Sequence, residues 1–291
     1  MLIDTHAHLN FNAYKSDVDE IIRRSLDNNV WTINVGSNYI TSKRAIEIAE
    51  KYPEGVYAAI GVHPIHLTEG IFKVKLDEEE QAFQTKNEDF NYEKYKNLAV
   101  GKTLDSSGIK NLAKNKKVIA VGEIGLDYYY RPKTKIKLEQ FKTKQKEIFL
   151  VQLKLAEELN LPVIFHCRMA HEDLIEILNE QKTENNKQLR GVVHCFTGDW
   201  EQAKKYLDMG FYIGFNGIIF KLSLDEVIEK TPLEKILIET DCPYLTPPQE
   251  SGRNEPLYVK YVVEKIAKIK NLSYEEIAKI STENAKKLFR I

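Results

Sequence analysis

"LIDTHAHL", residues 2–9, has the apolar, turn-bounded look of a short buried strand, yet it carries three residues that such a strand ordinarily avoids. Along a strand, residues i and i+2 project to one face, so Asp4, His6 and His8 are expected to point the same way. A carboxylate and two imidazoles on one buried face are costly unless something pairs them, and a divalent metal is an efficient partner. A His-x-His pair by itself also fits hydrogen-bonded core histidines, so the reading turns on the other strands.

Seven further runs share this character: "WTINVGS" (31–37), "VYAAIGVH" (56–63), "VIAVGEIGLD" (118–127), "PVIFHC" (162–167), "GVVHCF" (191–196), "FYIGFNG" (211–217) and "ILIETD" (236–241). Between them lie amphipathic patterns such as "KQKEIFLVQLKLAEELN", with apolar residues recurring at three and four. Eight strand–helix repeats with near-continuous apolar strands predict an α/β fold, a closed (β/α)8 TIM barrel whose helices cover the outer face. A doubly wound open sheet is the alternative, but no glycine-rich dinucleotide turn or P-loop is present. Such a barrel takes about 250 residues, and the chain has 291. The surplus falls in the charged stretch 70–117, which predicts a single domain, 1–291, with an enlarged loop between strands three and four carrying one or two surface helices.

No run approaches the roughly 18 apolar residues of a membrane helix, and the N-terminus enters a strand rather than a signal region. A cytoplasmic or nuclear protein with no membrane partner is expected. Cys167, Cys195 and Cys242 are an odd, widely spaced set, which argues for reduced thiols. A net charge of -1 offers no global attraction to nucleic acid, so a polyanion would need a local basic patch.

In barrels of this class chemistry occurs at the C-terminal strand ends. His6, His8, His63, Glu123, Asp127, His166, His194 and Asp241 all fall late in their strands, and five of the seven histidines thereby converge on one rim. Imidazole and carboxylate without thiolate suit Mg, Mn or Zn. Six ligands drawn from this set would exceed what one tetrahedral ion needs, whereas two divalent ions sharing a carboxylate would use them all. Glu123, mid-rim, is the candidate bridge. Cys167 and Cys195 follow inward-facing histidines and are expected to face the helices; Glu239 is expected to be a hydrogen-bonded carboxylate behind the ligands.

Taken in order, "DTHAHL", "GVHP", "GEIGLDYYYR", "PVIFHCR", "VVHCFTG", "ETDCPYLTP" and "GRNEP" resemble the TatD family of metal-dependent deoxyribonucleases, an amidohydrolase-like barrel. The resemblance runs from Leu2 to the closing "ENAKKLF", apart from the 70–117 stretch. It implies one metal on His6, His8, Glu123 and Asp241, another on Glu123, His166 and His194, and 3′–5′ exonuclease hydrolysis of DNA at single-stranded ends. Asp241 would act with Glu123 in catalysis by orienting water and accepting its proton. Where many members read "GVHPH" this chain has "GVHPIH", so His66 receives no role.

Substrate contacts are expected from His63, from Tyr129 and Arg131 in "YYYRPK", which combines stacking faces with a phosphate donor, and from Arg253, which follows the last strand. Two alternatives use the same residues: an ester or amide hydrolase such as a D-aminoacyl-tRNA deacylase, and a non-catalytic nucleic-acid-binding relative. A metal-activated water serves phosphorus and carbonyl attack alike, so the residues do not separate the first from nuclease action.

Overall fold

The computed structural model describes residues 1–68, 71, 90–104, 110–185 and 189–291. In chain order these form β1 (Leu2–Ala7), α1 (Val18–Asp27), β2 (Val30–Val35), α2 (Tyr39–Ala49), β3 (Val56–Ile60), α3 (Tyr92–Ala99), β4 (Val100–Leu104), β5 (Lys110–Lys114), β6 (Val118–Asp127) and α4 (Lys135–Leu159). They continue with β7 (Val163–Arg168), α5 (His171–Asn185), β8 (Gly191–Val193), α6 (Trp200–Asp208), β9 (Tyr212–Phe215), α7 (Asp225–Lys230), β10 (Ile236–Ile238), α8 (Val259–Lys270) and α9 (Tyr274–Phe289). Strands β1, β2, β3, β6, β7, β8, β9 and β10 pair in that order, all parallel, giving the predicted (β/α)8 barrel. β1 and β10 meet through the single bridge Ala7–Cys242 rather than a ladder. Two hydrogen bonds reinforce that seam: the Thr5 hydroxyl donates to the Ile238 carbonyl (3.1 Å), and the Asp241 backbone N–H to the His6 carbonyl (2.8 Å).

The core has two layers. Ile3, Ile33, Ala59, Ile119, Ile164, Val192 and Leu237 fill the barrel, with Leu288 and Phe289 of α9 in the same cluster. A larger shell, including Phe149, Phe165, Ile213 and Ile266, lies between strands and helices. Burying each of these large side chains contributes about 1.5–3 kcal/mol. Capping boxes start α2 (Asn38 with Thr41) and α6 (Asp199 with Gln202) after strands β2 and β8, and α9 (Ser273 with Glu276) after helix α8. Among the described residues no helix is long and apolar enough to cross a membrane.

Two expectations about the 70–117 stretch need correction where it is described. α3 is anchored rather than superficial, since Tyr95 and Ala99, four apart and so on one helix face, are both buried against the core. Beyond it β4 and β5 form an antiparallel ribbon, a strand pair that the expectation of helices alone did not include. Much of the remainder, 69–70, 72–89 and 105–109, lies outside the described residues. The excess of charge concealed both features, because one tyrosine anchors α3 and the ribbon strands are five residues long.

Candidate metal centre

Register shifts re-aim the two strands that carry the central residues. Ile3 belongs to the barrel interior and Ala7 to the outer shell, although residues four apart share a face in a regular strand. The shift falls between Asp4 and Ala7, and a second, in β6, falls between Val121 and Ile124 around Glu123. Asp4 therefore does not share a face with His6 and His8. Its Oδ1 accepts the Thr240 N–H (2.8 Å) and the His6 N–H (3.2 Å), and its Oδ2 the Thr240 hydroxyl (2.6 Å). It clamps β1 to the residue before Asp241, whose φ of 59° lies in the left-handed region.

The six sequence-derived ligands converge. Glu123, 4% exposed, turns one carboxylate oxygen to each side. Oε2 lies 3.4 Å from His6 Nε2 and 3.8 Å from His8 Nε2, while Oε1 lies 2.5 Å from His166 Nδ1 and 3.1 Å from His194 Nε2. Asp241 Oδ1 stands 3.5 Å from His8 Nε2 and 3.7 Å from His6 Nε2. Gly125 makes this approach possible. At its φ of 151°, a Cβ would lie 2.0 Å from the His166 carbonyl oxygen.

The outer partners of the histidines assign their protons. His8 Nδ1 is 2.9 Å from the Val35 carbonyl, which only accepts, so Nδ1 carries the proton and Nε2 presents a lone pair. His194 Nδ1 donates to Glu239 Oε1 (3.1 Å), and His166 Nε2 to Asp127 Oδ2 (3.3 Å). Each of the three thus directs an unprotonated nitrogen inward, the arrangement by which carboxylates and carbonyls orient metal-binding histidines. His6 Nε2 and His8 Nε2 face each other at 3.2 Å. His6, His8 and Asp241 bring one ligand atom each within 4.8 Å of one another, so the donor set fits divalent metal. His63 is oriented the opposite way. Its Nδ1 accepts the Ile65 N–H (3.0 Å), leaving Nε2–H to point between His166 Nδ1 (3.1 Å) and Glu123 Oε1 (3.5 Å), so it enters the site as a hydrogen-bond donor.

Electrostatics carry the same demand for positive charge. Burial pushes the Glu123 carboxyl upward, but His63, His194, His166 and His6 outweigh it and hold it well below the carboxylate range. Burial likewise opposes charge on His194, yet Glu123 and Glu239 raise it well above the ordinary imidazole value. His6 and His63 move down, chiefly through burial and then through His194 and His166 respectively.

A cleft of about 350 Å³ opens over this cluster, lined by His63, Tyr130, Arg168, Cys195 and Tyr244 among others. Of the predicted substrate residues, His63 lines it. Tyr129 lies beside lining residue Tyr130, 54% exposed, with the two rings edge to face at 4.9 Å. Arg131 is exposed and is not among the lining residues. Arg253 is corrected: its guanidinium pairs with Asp17 (2.6 Å), donates to the Ala13 carbonyl and lies over the Tyr14 ring, tying the loop after β10 to the start of α1. Its place after the last strand suggested phosphate, but the guanidinium is turned to Asp17 and Ala13, and Arg253 is not among the residues lining the cleft. Asn254 and Glu255 fix the same loop through the Thr240 and Tyr244 carbonyls and Arg24.

Cys167 turns its sulfur outward to Tyr206 as parity predicts, while the residue also borders the cleft. Cys195 does not, because β8 ends at Val193 and Cys195 has a φ of 44°, which breaks the alternation and turns it into the cleft. Sequence reasoning missed three positioning residues. Gln145 and Gln152, seven apart on α4, hold the backbone of Asp127 (2.9 and 3.1 Å) and Val62 (2.7 and 3.1 Å) through both atoms of their amides. Arg168 is the third, paired with Asp127 at 2.6 Å. A polar residue on the buried stripe of an amphipathic helix was the available signal for the glutamines.

The sequence matches the family described as TatD related DNase over residues 3–290. The chain belongs to the TatD family. This TatD-family chain is a metal-dependent hydrolase, and its relatives carry that description: it is 42% identical over the full length of both chains to the uncharacterized metal-dependent hydrolase YabD of Bacillus subtilis. It is 30% identical to the 3′-5′ ssDNA/RNA exonuclease TatD of Pantoea ananatis, with 99% of each chain covered. Among solved structures, the TatD homolog YjjV of Escherichia coli superposes with a TM-score of 0.77 at 28% identity, covering 100% of this chain and 98% of that one.

Outside the TatD centre, His171 gives a pH test of stability. It is buried beside Phe196 and Tyr206, and burial pushes its imidazole down to about 4. A folded value below the ordinary 6.5 means that stability is fully present above pH 6.5 and is lost as pH falls toward 4. The loss between pH 7.5 and 5 is expected to be about 2 kcal/mol. In urea titrations, His171→Phe should start less stable, having lost the Tyr206 hydrogen bond, and fall less steeply over that interval. An unchanged slope would assign the acid sensitivity to other groups.

Proposed function

We propose that this TatD-family hydrolase is a deoxyribonuclease that removes nucleotides from the 3′ end of single-stranded DNA, with two divalent cations (Mg, Mn or Zn) sharing Glu123. The observation that carries the reading is the two-sided Glu123 carboxylate. His6, His8 and Asp241 with Oε2 would hold one cation, and His166 and His194 with Oε1 the other. When bound, such ions neutralise phosphate charge and bring the pKa of water from 15.7 toward roughly 7.

The chain's own residues supply the rest. Asp241, half-buried beside His8 and held below the usual carboxylate range by His8, His194 and His6 against the effect of burial, accepts the proton of the attacking water. His63 Nε2–H donates to a non-bridging phosphate oxygen, and Asp127 and Glu239 keep His166 and His194 in their ligating tautomers. The cleft, near the small end of the ~300–1,000 Å³ typical of ligand sites, suits one terminal nucleotide rather than a duplex. The exposed rings of Tyr129 and Tyr130 offer stacking for an unpaired base. The name of the Pantoea relative supports a single-stranded substrate, and three unpaired cysteines suit a reducing cytoplasm or nucleus.

A time course on 5′-labelled single-stranded DNA, run with and without chelator and beside a D-aminoacyl-tRNA, tests this. The expected result is a ladder of 3′-shortened products that chelator abolishes. Deacylation without nucleotide release would replace the nuclease by the ester-hydrolase reading, and inertness toward both would leave a binding role.

A further inference from the structure

Arg168 ends β7 two residues beyond the ligand His166, at the wall of the cleft. Its Nε and one terminal nitrogen reach Asp127 Oδ2 at 2.9 and 2.6 Å, and the same oxygen lies 3.3 Å from His166 Nε2. Its guanidinium plane lies over two exposed rings, 4.6 Å from the centroid of Tyr129 and 5.3 Å from that of Tyr130. A cation thus stands at the cleft wall, braced on one side by a carboxylate and on the other by aromatic faces, with a side chain 38% exposed. Such bracing holds a planar fork ready for a tetrahedral oxyanion.

Resting on the nuclease reading, we infer that Arg168 is a specificity residue that binds the phosphodiester one step 5′ of the scissile one. The preferred substrate is therefore an oligonucleotide with at least two phosphodiesters. Three features argue for the neighbouring phosphate rather than the reacting one. Arg168 is separated from Glu123 by the Asp127–His166 pair, it sits beside the exposed rings, and those rings are where an adjoining base would stack. Engagement there also bears on His166 through their shared Asp127 oxygen, so a longer chain improves both binding and the set of the centre.

The test compares the metal-loaded full-length protein with Arg168→Gln and Arg168→Lys on thymidine dinucleotide, with one phosphodiester, and thymidine trinucleotide, with two. For the wild type, kcat/KM should be about 10- to 100-fold higher on the trimer, the effect of one charge-assisted contact. Arg168→Gln should lower both values but collapse the trimer-to-dimer ratio to near one, and reduce the salt dependence of oligonucleotide binding by about 0.7 in log–log slope. Arg168→Lys should restore the slope and only part of the ratio, and metal content and melting temperature should stay near wild type. Equal losses on dimer and trimer with an unchanged salt slope would show that Arg168 serves only to orient Asp127 and His166, overturning the inference. A wild type that cleaves both equally would overturn it while leaving the nuclease standing. Failure to cleave any phosphodiester would remove the nuclease reading itself.

Discussion

Replacing Glu123 by Gln is expected to abolish turnover and strip metal from the protein while leaving it folded. Among the described residues the carboxylate alone faces His6 and His8 with one oxygen and His166 and His194 with the other. An amide keeps the shape and removes the charge. Two cations would then face the Asp241 carboxylate and neutral imidazoles alone, so metal affinity should fall by more than the roughly 10- to 100-fold that follows loss of an outer partner. Turnover should fall further, because both halves of the centre lose a ligand at once. Without metal, the positive charge favoured on His166 and His194 should lessen, since Glu123 is the main influence raising both against burial. Metal analysis of purified Glu123→Gln, with circular dichroism as the control for folding, decides the matter. Full metal content with near-normal hydrolysis would show that Glu123 does not join the two sides.

Gly125→Ala is expected to have the largest effect of any methyl-sized change near the site. The residue has a φ of 151°, which side-chain-bearing residues rarely adopt, and its Cβ would stand 2.0 Å from the His166 carbonyl oxygen and 3.0 Å from the carbonyl carbon. Both obstacles are backbone, so no rotamer change relieves them. β6 and β7 are paired at this point, Gly125 opposite His166, and separating them moves the ligands on both strands. A destabilisation on the order of 3 kcal/mol or more is expected, together with loss of the metal held by His166 and His194. Thermal melting and metal titration of the variant should show both. A stable variant with normal metal content would mean that the β6–β7 register has more slack than this spacing allows.

Much of this protein was legible in its residues. The apolar period of eight strands and the helical stripes between them dictated the barrel, because every strand has to be buried on both faces and covered by a helix. Position alone then put His6, His8, His63, Glu123, Asp127, His166, His194 and Asp241 together, since late residues of parallel strands converge on one rim. What only the tertiary structure decided lay where alternation breaks or where a partner is remote in sequence. Bulges parted Asp4 from His6 and turned Glu123 inward, and a left-handed residue after β8 brought Cys195 into the cleft, because a strict period of two ends where the ladder shifts or stops. Arg253 looked like a phosphate ligand until Asp17, 236 residues away, was seen to hold it, while Arg168, unremarked in the sequence, was set at the cleft wall by Asp127 and two tyrosines of another loop. The direction of each imidazole was likewise invisible, because the proton on His8, His63, His166 or His194 is placed by a carbonyl, an amide or a carboxylate that only folding brings near.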